Sequence, residues 1–93
     1  VHPEVFEPTL TLAMMISGLV VTLAEDPRQR ADALAALGGD DRLTLGNETG
    51  RKLPVVAETG TAQESEELVE SLLRTAGVDF VDVVYVDFSE AGA

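Results

Sequence analysis

Cysteine and tryptophan are absent from the 93 residues, and histidine occurs once, as His2. Without cysteine there is no disulfide, no thiolate metal site and no cysteine nucleophile. A single histidine near the chain end, beside Pro3, removes histidine-based catalysis and most transition-metal chemistry from the expected functions. Basic residues are scarce. Six Lys and Arg stand against seventeen Asp and Glu, a formal net charge of −11. Phosphate binding needs clustered Lys and Arg, so nucleic acid and anionic membranes are not expected partners. Basic peptides, basic proteins and cations remain compatible with the charge. The longest apolar stretch, Leu10 to Leu23, contains Thr and Ser and falls short of the roughly 18 residues that a membrane span requires. Glu4 and Glu7 precede it, where a secretory signal would carry positive charge. The expectation is a cytoplasmic chain without membrane insertion.

What is present is a 45% apolar chain, long enough for one small domain and too short for two. Residues 1–9 contain Pro3 and Pro8 and no periodicity, and read as a flexible tail; residues 10–90 read as a single domain and 91–93 as its C-terminal end. Met14 to Leu23 predicts a strand apolar on both faces. Asp26-Pro27-Arg28-Gln29 then has an N-cap residue, a proline at the first helical position and a glutamine three residues after the cap. It predicts a helix ending at Gly38-Gly39. Arg42 to Leu45 and Lys52 to Glu58 read as two strands of a hairpin around Gly46 to Gly50. Thr61 with Glu64 repeats the capping signature. Leu68, Val69, Leu72, Leu73 and Ala76 then trace one helical face, stopping at Gly77. Glu64, Glu66, Glu67 and Glu70 lie mostly on the opposite, solvated side. Val78 to Phe88 is the last strand, followed by a frayed end from Ser89.

The order β-α-β-β-α-β predicts an α+β, ferredoxin-like fold. Its antiparallel sheet has strand order 4-1-3-2, with two helices on one face. Pro54 disturbs the third strand, marking either a bulge or the point where the strand begins. The face without helices should be polar unless something binds there. On strand four, strict alternation sends Val81, Val83 and Tyr85 one way, and Phe80, Asp82, Val84, Val86 and Phe88 the other. Asp82 would be costly beneath helices, which assigns its set to the open face. On strand one, Thr22 favours Met14, Ile16, Gly18 and Val20 as the open set, and either assignment leaves both faces substantially apolar. An apolar open face marks a binding surface, for an amphipathic helix or for a second copy of the chain.

Catalytic motifs are missing. There is no GxGxxG, P-loop or nucleophile elbow. Asp79, Asp82 and Asp87 share a strand, but Asp82 points away from the other two and makes no carboxylate pair with them. Asp40-Asp41 lacks the EF-hand ligand pattern. No cofactor and no enzymatic activity are expected. Among ferredoxin-like modules, RNA recognition needs stacking aromatics, and this chain has 4% aromatic residues. An acylphosphatase would need an arginine-bearing loop where Ala24-Glu25-Asp26 stands, whereas ligand-sensing domains of the ACT type remain open.

Ile16-Ser17-Gly18-Leu19-Val20-Val21 resembles the I-S-S-L-V-V opening of the NapD family. The likeness continues through the Pro-started helix and the hairpin around Gly50. It closes on Gly77-Val78, Val81 and Val83-Val84-Tyr85, similar to that family's G-V-x-x-V-x-L-V-Y. The sequence departs at Gly18, where the family usually has Ser, and at Pro54 and Lys52 on strand three. The resemblance implies a cytoplasmic chaperone of the periplasmic nitrate reductase. Such a chaperone binds the twin-arginine signal peptide of the catalytic subunit, helical against the open face, and delays export until the cofactor is inserted. The residues expected at that interface are Ile16, Gly18, Val20 and Thr22 of strand one, Val55 of strand three, and Phe80, Asp82, Val84 and Val86 of strand four. Gly18 would allow close approach, Thr22 would offer a hydrogen bond, and Asp82 would pair with a peptide arginine. The rival expectation is a homodimeric regulatory or ligand-sensing domain of the ACT type.

Overall fold

The computed structural model describes residues 12–91. The expected tail, residues 1–9, lies outside them, as do residues 92 and 93. Six elements follow in order: β1 (Leu12–Leu23), α1 (Pro27–Gly38), β2 (Leu43–Leu45), β3 (Lys52–Thr59), α2 (Ala62–Leu73) and β4 (Val78–Ala91). The strands form one antiparallel sheet in the order β2-β3-β1-β4. This is the ferredoxin-like α+β arrangement expected from the sequence. β4 runs further than expected, because Ser89, Glu90 and Ala91 pair with Met14, Ala13 and Leu12 of β1 instead of fraying.

Alternation on the two central strands builds the core. Leu19, Val21 and Leu23 of β1 and Leu53, Val55 and Ala57 of β3 point to the helical side. They pack with Ala33 and Leu37 of α1, Leu68 and Leu72 of α2, and Val78 and Val81 of β4. Ser17 shares that side and is buried, with its Oγ 3.4 Å from Ser65 Oγ on α2.

The helix ends behave differently. Thr61 caps α2 by accepting from the Glu64 amide at 3.0 Å, while Glu64 Oε1 accepts from the Gly60 amide at 2.8 Å. Asp26 occupies the N-cap of α1 but makes no side-chain cap bond. Instead Arg30 reaches back to the carbonyls of Ala24 and Glu25. α2 stops at Leu73, one turn before Gly77, so Ala76 lies outside the helix. Gly77 takes φ 91°, and a Cβ there would lie 2.1 Å from the Gln29 carbonyl oxygen of α1. The glycine is needed for chain direction and for close packing against α1.

Pro54 neither bulges nor opens β3. The register between β1 and β3 is continuous, and the strand begins two residues earlier at Lys52. Pro54 O accepts from the Gly46 amide at 2.8 Å, so the polar edge of this residue faces the β2 side. Its missing N–H therefore falls just past the end of β2, and the β1–β3 ladder keeps all its donors.

Arg42 ties the start of β2 to α2. Its guanidinium lies 2.9 Å from Asp40 Oδ2 and 3.3 Å from Glu64 Oε2. The Arg42 hydrogen bond holds the Asp40 carboxyl below its ordinary value, and the Gly60 amide followed by Arg42 lowers that of Glu64. A depressed folded-state pKa gives stability that is complete above the unfolded value and is lost as pH falls through the folded one. We predict that Arg42→Ala lowers Tm at pH 7 and that the gap to the native protein narrows below about pH 4. Thermal melts by circular dichroism across pH 3 to 7 measure this, and a gap that does not narrow refutes it.

Candidate peptide-binding face

On the side of the sheet away from the helices, pairing aligns four cross-strand rows. From one end of β1 to the other they are Asp87–Ile16–Glu58, Tyr85–Gly18–Val56, Asp82–Val20–Pro54 and Phe80–Thr22–Lys52. Ile16, Gly18, Val20 and Thr22 thus stand together on the open face, as expected, with Phe80 and Asp82 beside them. Thr22 already accepts a hydrogen bond from Lys52 Nζ at 3.0 Å. Its hydroxyl proton remains available to a partner.

Two of the expected residues lie elsewhere. Val55 is 2% exposed and belongs to the core, opposite Leu19. Its neighbours Pro54 and Val56 take the open face. The alternation of Lys52, Pro54, Val56 and Glu58 with Leu53, Val55 and Ala57 carried this signal, because only the second set is uniformly apolar and small enough to bury.

Val86 is displaced by a β-bulge. Gly18 pairs with Tyr85 while Leu19 pairs with Val83, which leaves Val84 as the extra residue. Beyond it the phase of β4 inverts. Tyr85 and Asp87 turn to the open face, and Val86 and Phe88 turn to the helical side with Ser17 and Met15. A second irregularity at Asp79 separates Phe80 from Val78. Val86 then lines a separate hollow of about 430 Å³ with Met15, Val69 and Val83, rimmed by Glu66 and Glu70 of α2.

Val84 stays on the open face. With Tyr85 it walls a shallow depression of about 250 Å³ whose floor is Gly18, Val20, Pro54 and Val56 and whose far side is Thr44. The space above Gly18 is filled from within the chain: a Cβ on Gly18 would lie 2.2 Å from the Tyr85 ring. Gly18 therefore permits close approach, but of Tyr85 and not of an incoming segment. Val84, Tyr85 and Phe80 remain about half exposed or more, an apolar display that soluble surfaces rarely leave contiguous without a partner.

The ion pairs among the described residues join Arg42 to Asp40 and Glu64, and Arg51 to Asp79 and Glu25. Glu58, Asp82 and Asp87 take part in none of these. Among the described residues no cluster of His, Cys, Asp and Glu is arranged to hold a metal ion, and no helix is long and apolar enough to cross a membrane.

Gly18→Ala is expected to push the Tyr85 ring off the sheet and to cost at most about 1 kcal/mol, because an exposed ring can rotate away. Tyr85 is the single tyrosine and tryptophan is absent, so near-UV circular dichroism reads this ring almost alone. An unchanged tyrosine band in the variant refutes the stacked placement.

Comparison with known proteins gives a fold. No protein-family model and no curated protein matches the chain. Among solved structures, the solution structure of NapD, a Tat proofreading chaperone of E. coli, superposes with a TM-score of 0.67 at 22% identity, covering 77% of this chain and 76% of that one. The likeness read from strand one, the hairpin and strand four thus has a structural counterpart, and this chain shares its fold with E. coli NapD.

Proposed function

We propose that this protein is a chaperone that binds a twin-arginine signal peptide on the open face of its sheet. The observation that carries the reading is the apolar depression between Val84–Tyr85 and Thr44, with the carboxylates of Glu58, Asp82 and Asp87 on the same face. A twin-arginine peptide is basic at its start and apolar afterwards, so one helical segment offers both complements. The shared fold with a Tat proofreading chaperone supports the same reading. The proposed client is the catalytic subunit of the periplasmic nitrate reductase. Held on the cytoplasmic side, its signal peptide would stay away from export until maturation is complete. No step in this role needs a catalytic group.

The interface consists of Ile16, Val20, Pro54, Val56, Phe80, Val84 and Tyr85 for the apolar side of the peptide, Thr22 for a hydrogen bond, and the carboxylates of Glu58, Asp82 and Asp87 for the arginines. A helix of 15 residues is about 22 Å long, and the span from Ile16 to Thr22 is about 20 Å. A symmetric sheet-on-sheet homodimer fits less well. It would bury the carboxylates of Glu58, Asp82 and Asp87 in a chain of net charge −11, where desolvation of charge adds to the cost.

Calorimetric titration with a synthetic twin-arginine signal peptide tests this, beside a version with both arginines replaced by glutamine. Binding should weaken with the replacement and with added salt. Val84→Glu and Val56→Glu should each weaken it about tenfold or more, with stability changed by only about 0.5 kcal/mol because both side chains reach the surface. No binding up to ~100 μM peptide overturns the proposal. A concentration-dependent dimer mass together with no peptide binding points to the homodimer.

A further inference from the structure

The four rows of the open face are not equivalent in charge, and we infer that their order fixes the direction in which the peptide lies. At one end, the row Asp87–Ile16–Glu58 presents two carboxylates and no cation. Arg42, whose carbonyl accepts from the Glu58 amide, commits its guanidinium to Asp40 and Glu64. At the other end, the row Phe80–Thr22–Lys52 presents an ammonium, fixed in place by its bond to Thr22. Asp82, one row inward, offsets it, and Arg51 just beyond is paired with Asp79 and Glu25. The face therefore runs from a net charge of −2 to near neutrality along β1.

A helical peptide with arginines at its N-terminal end is polar in the same sense twice over. The guanidinium charges and the positive end of the helix dipole both lie at its start, and the negative end of the dipole lies at its close. The arginines settle over Asp87 and Glu58, and the C-terminal turn settles toward Lys52 and Phe80. The reversed pose would set arginines beside Lys52 and place the negative helix end over two carboxylates. Lys52, Glu58 and Asp87 are in this way residues that set orientation, in addition to the apolar contacts that hold the peptide. The inference rests on the peptide-binding reading above.

Nitroxide labels at either end of the synthetic peptide separate the two directions. With the label at the N-terminal end, the amides of Ile16, Glu58 and Asp87 should broaden while those of Thr22, Lys52 and Phe80 stay sharp. A C-terminal label should reverse the pattern. The exchange of Lys52→Glu with Glu58→Lys keeps the net charge constant and should lower affinity about tenfold for the arginine peptide. Its effect should be much smaller for the glutamine version. Saturable binding with the opposite broadening pattern, or an unchanged affinity in the exchanged variant, overturns the orientation while leaving the peptide-binding reading intact. Failure of the native protein to bind either peptide overturns both.

Discussion

β1 is paired along both of its edges, and the architecture depends on that double pairing. From Met15 to Thr22 the strand has β3 on one side and β4 on the other, so its backbone polar groups face partner strands. Its side chains are therefore the only groups left to divide between two environments. Leu19, Val21 and Leu23 go to the helices and make the centre of the core. Ile16, Gly18, Val20 and Thr22 go to the other side and make the centre of the open face. A one-residue slip of β1 would exchange the two sets, placing Thr22 in the core and three leucine or valine side chains in water. Core and open face are thus specified by the same register.

Against that register, the one local departure that matters for the face is the bulge at Val84. It adds a residue to β4 opposite the Gly18–Leu19 step and inverts everything after it. Tyr85 reaches the open face only because of this inversion, and its ring lies flat only because Gly18 has no Cβ. The two features depend on each other. A larger residue at position 18 would displace the ring, and without the bulge the ring would point toward α2. Asp87 changes side for the same reason, so the charge at one end of the face also originates in the extra residue.

The fold was legible because its signals are local and redundant. Thr61 and Glu64 announce α2 by a hydrogen-bonding pattern that the structure reproduces, and Pro27 and the Gly38-Gly39 pair bound α1 within a residue. The first strand's open set followed from Thr22 alone. The site was legible only in part. Nothing in Val83-Val84-Tyr85 distinguishes which residue is supernumerary, since each is a good strand former, so alternation carried past the bulge assigned Val86 to the wrong side. The one hint was Gly18, since a glycine within a strand marks a bulge or a close approach. Val55 is a different case: its place in the core follows from its alternation with Leu53 and Ala57, a signal that the equally apolar Val56 on the other face blurs.

The strand edges have a consequence of their own. β2 is only three residues long, so that side of the sheet offers little template for another strand. β4 is long, but its ladder is broken at Asp79 and at Val84, and Asp82 and Asp87 flank the breaks. A kinked, acidic margin is a poor partner for a copy of itself and resists stacking into fibrils. A chain with so much exposed valine and phenylalanine can then remain dispersed while its apolar face stays open. Among the described residues, extended segments that would otherwise add to the sheet as a fifth strand are discouraged at both margins.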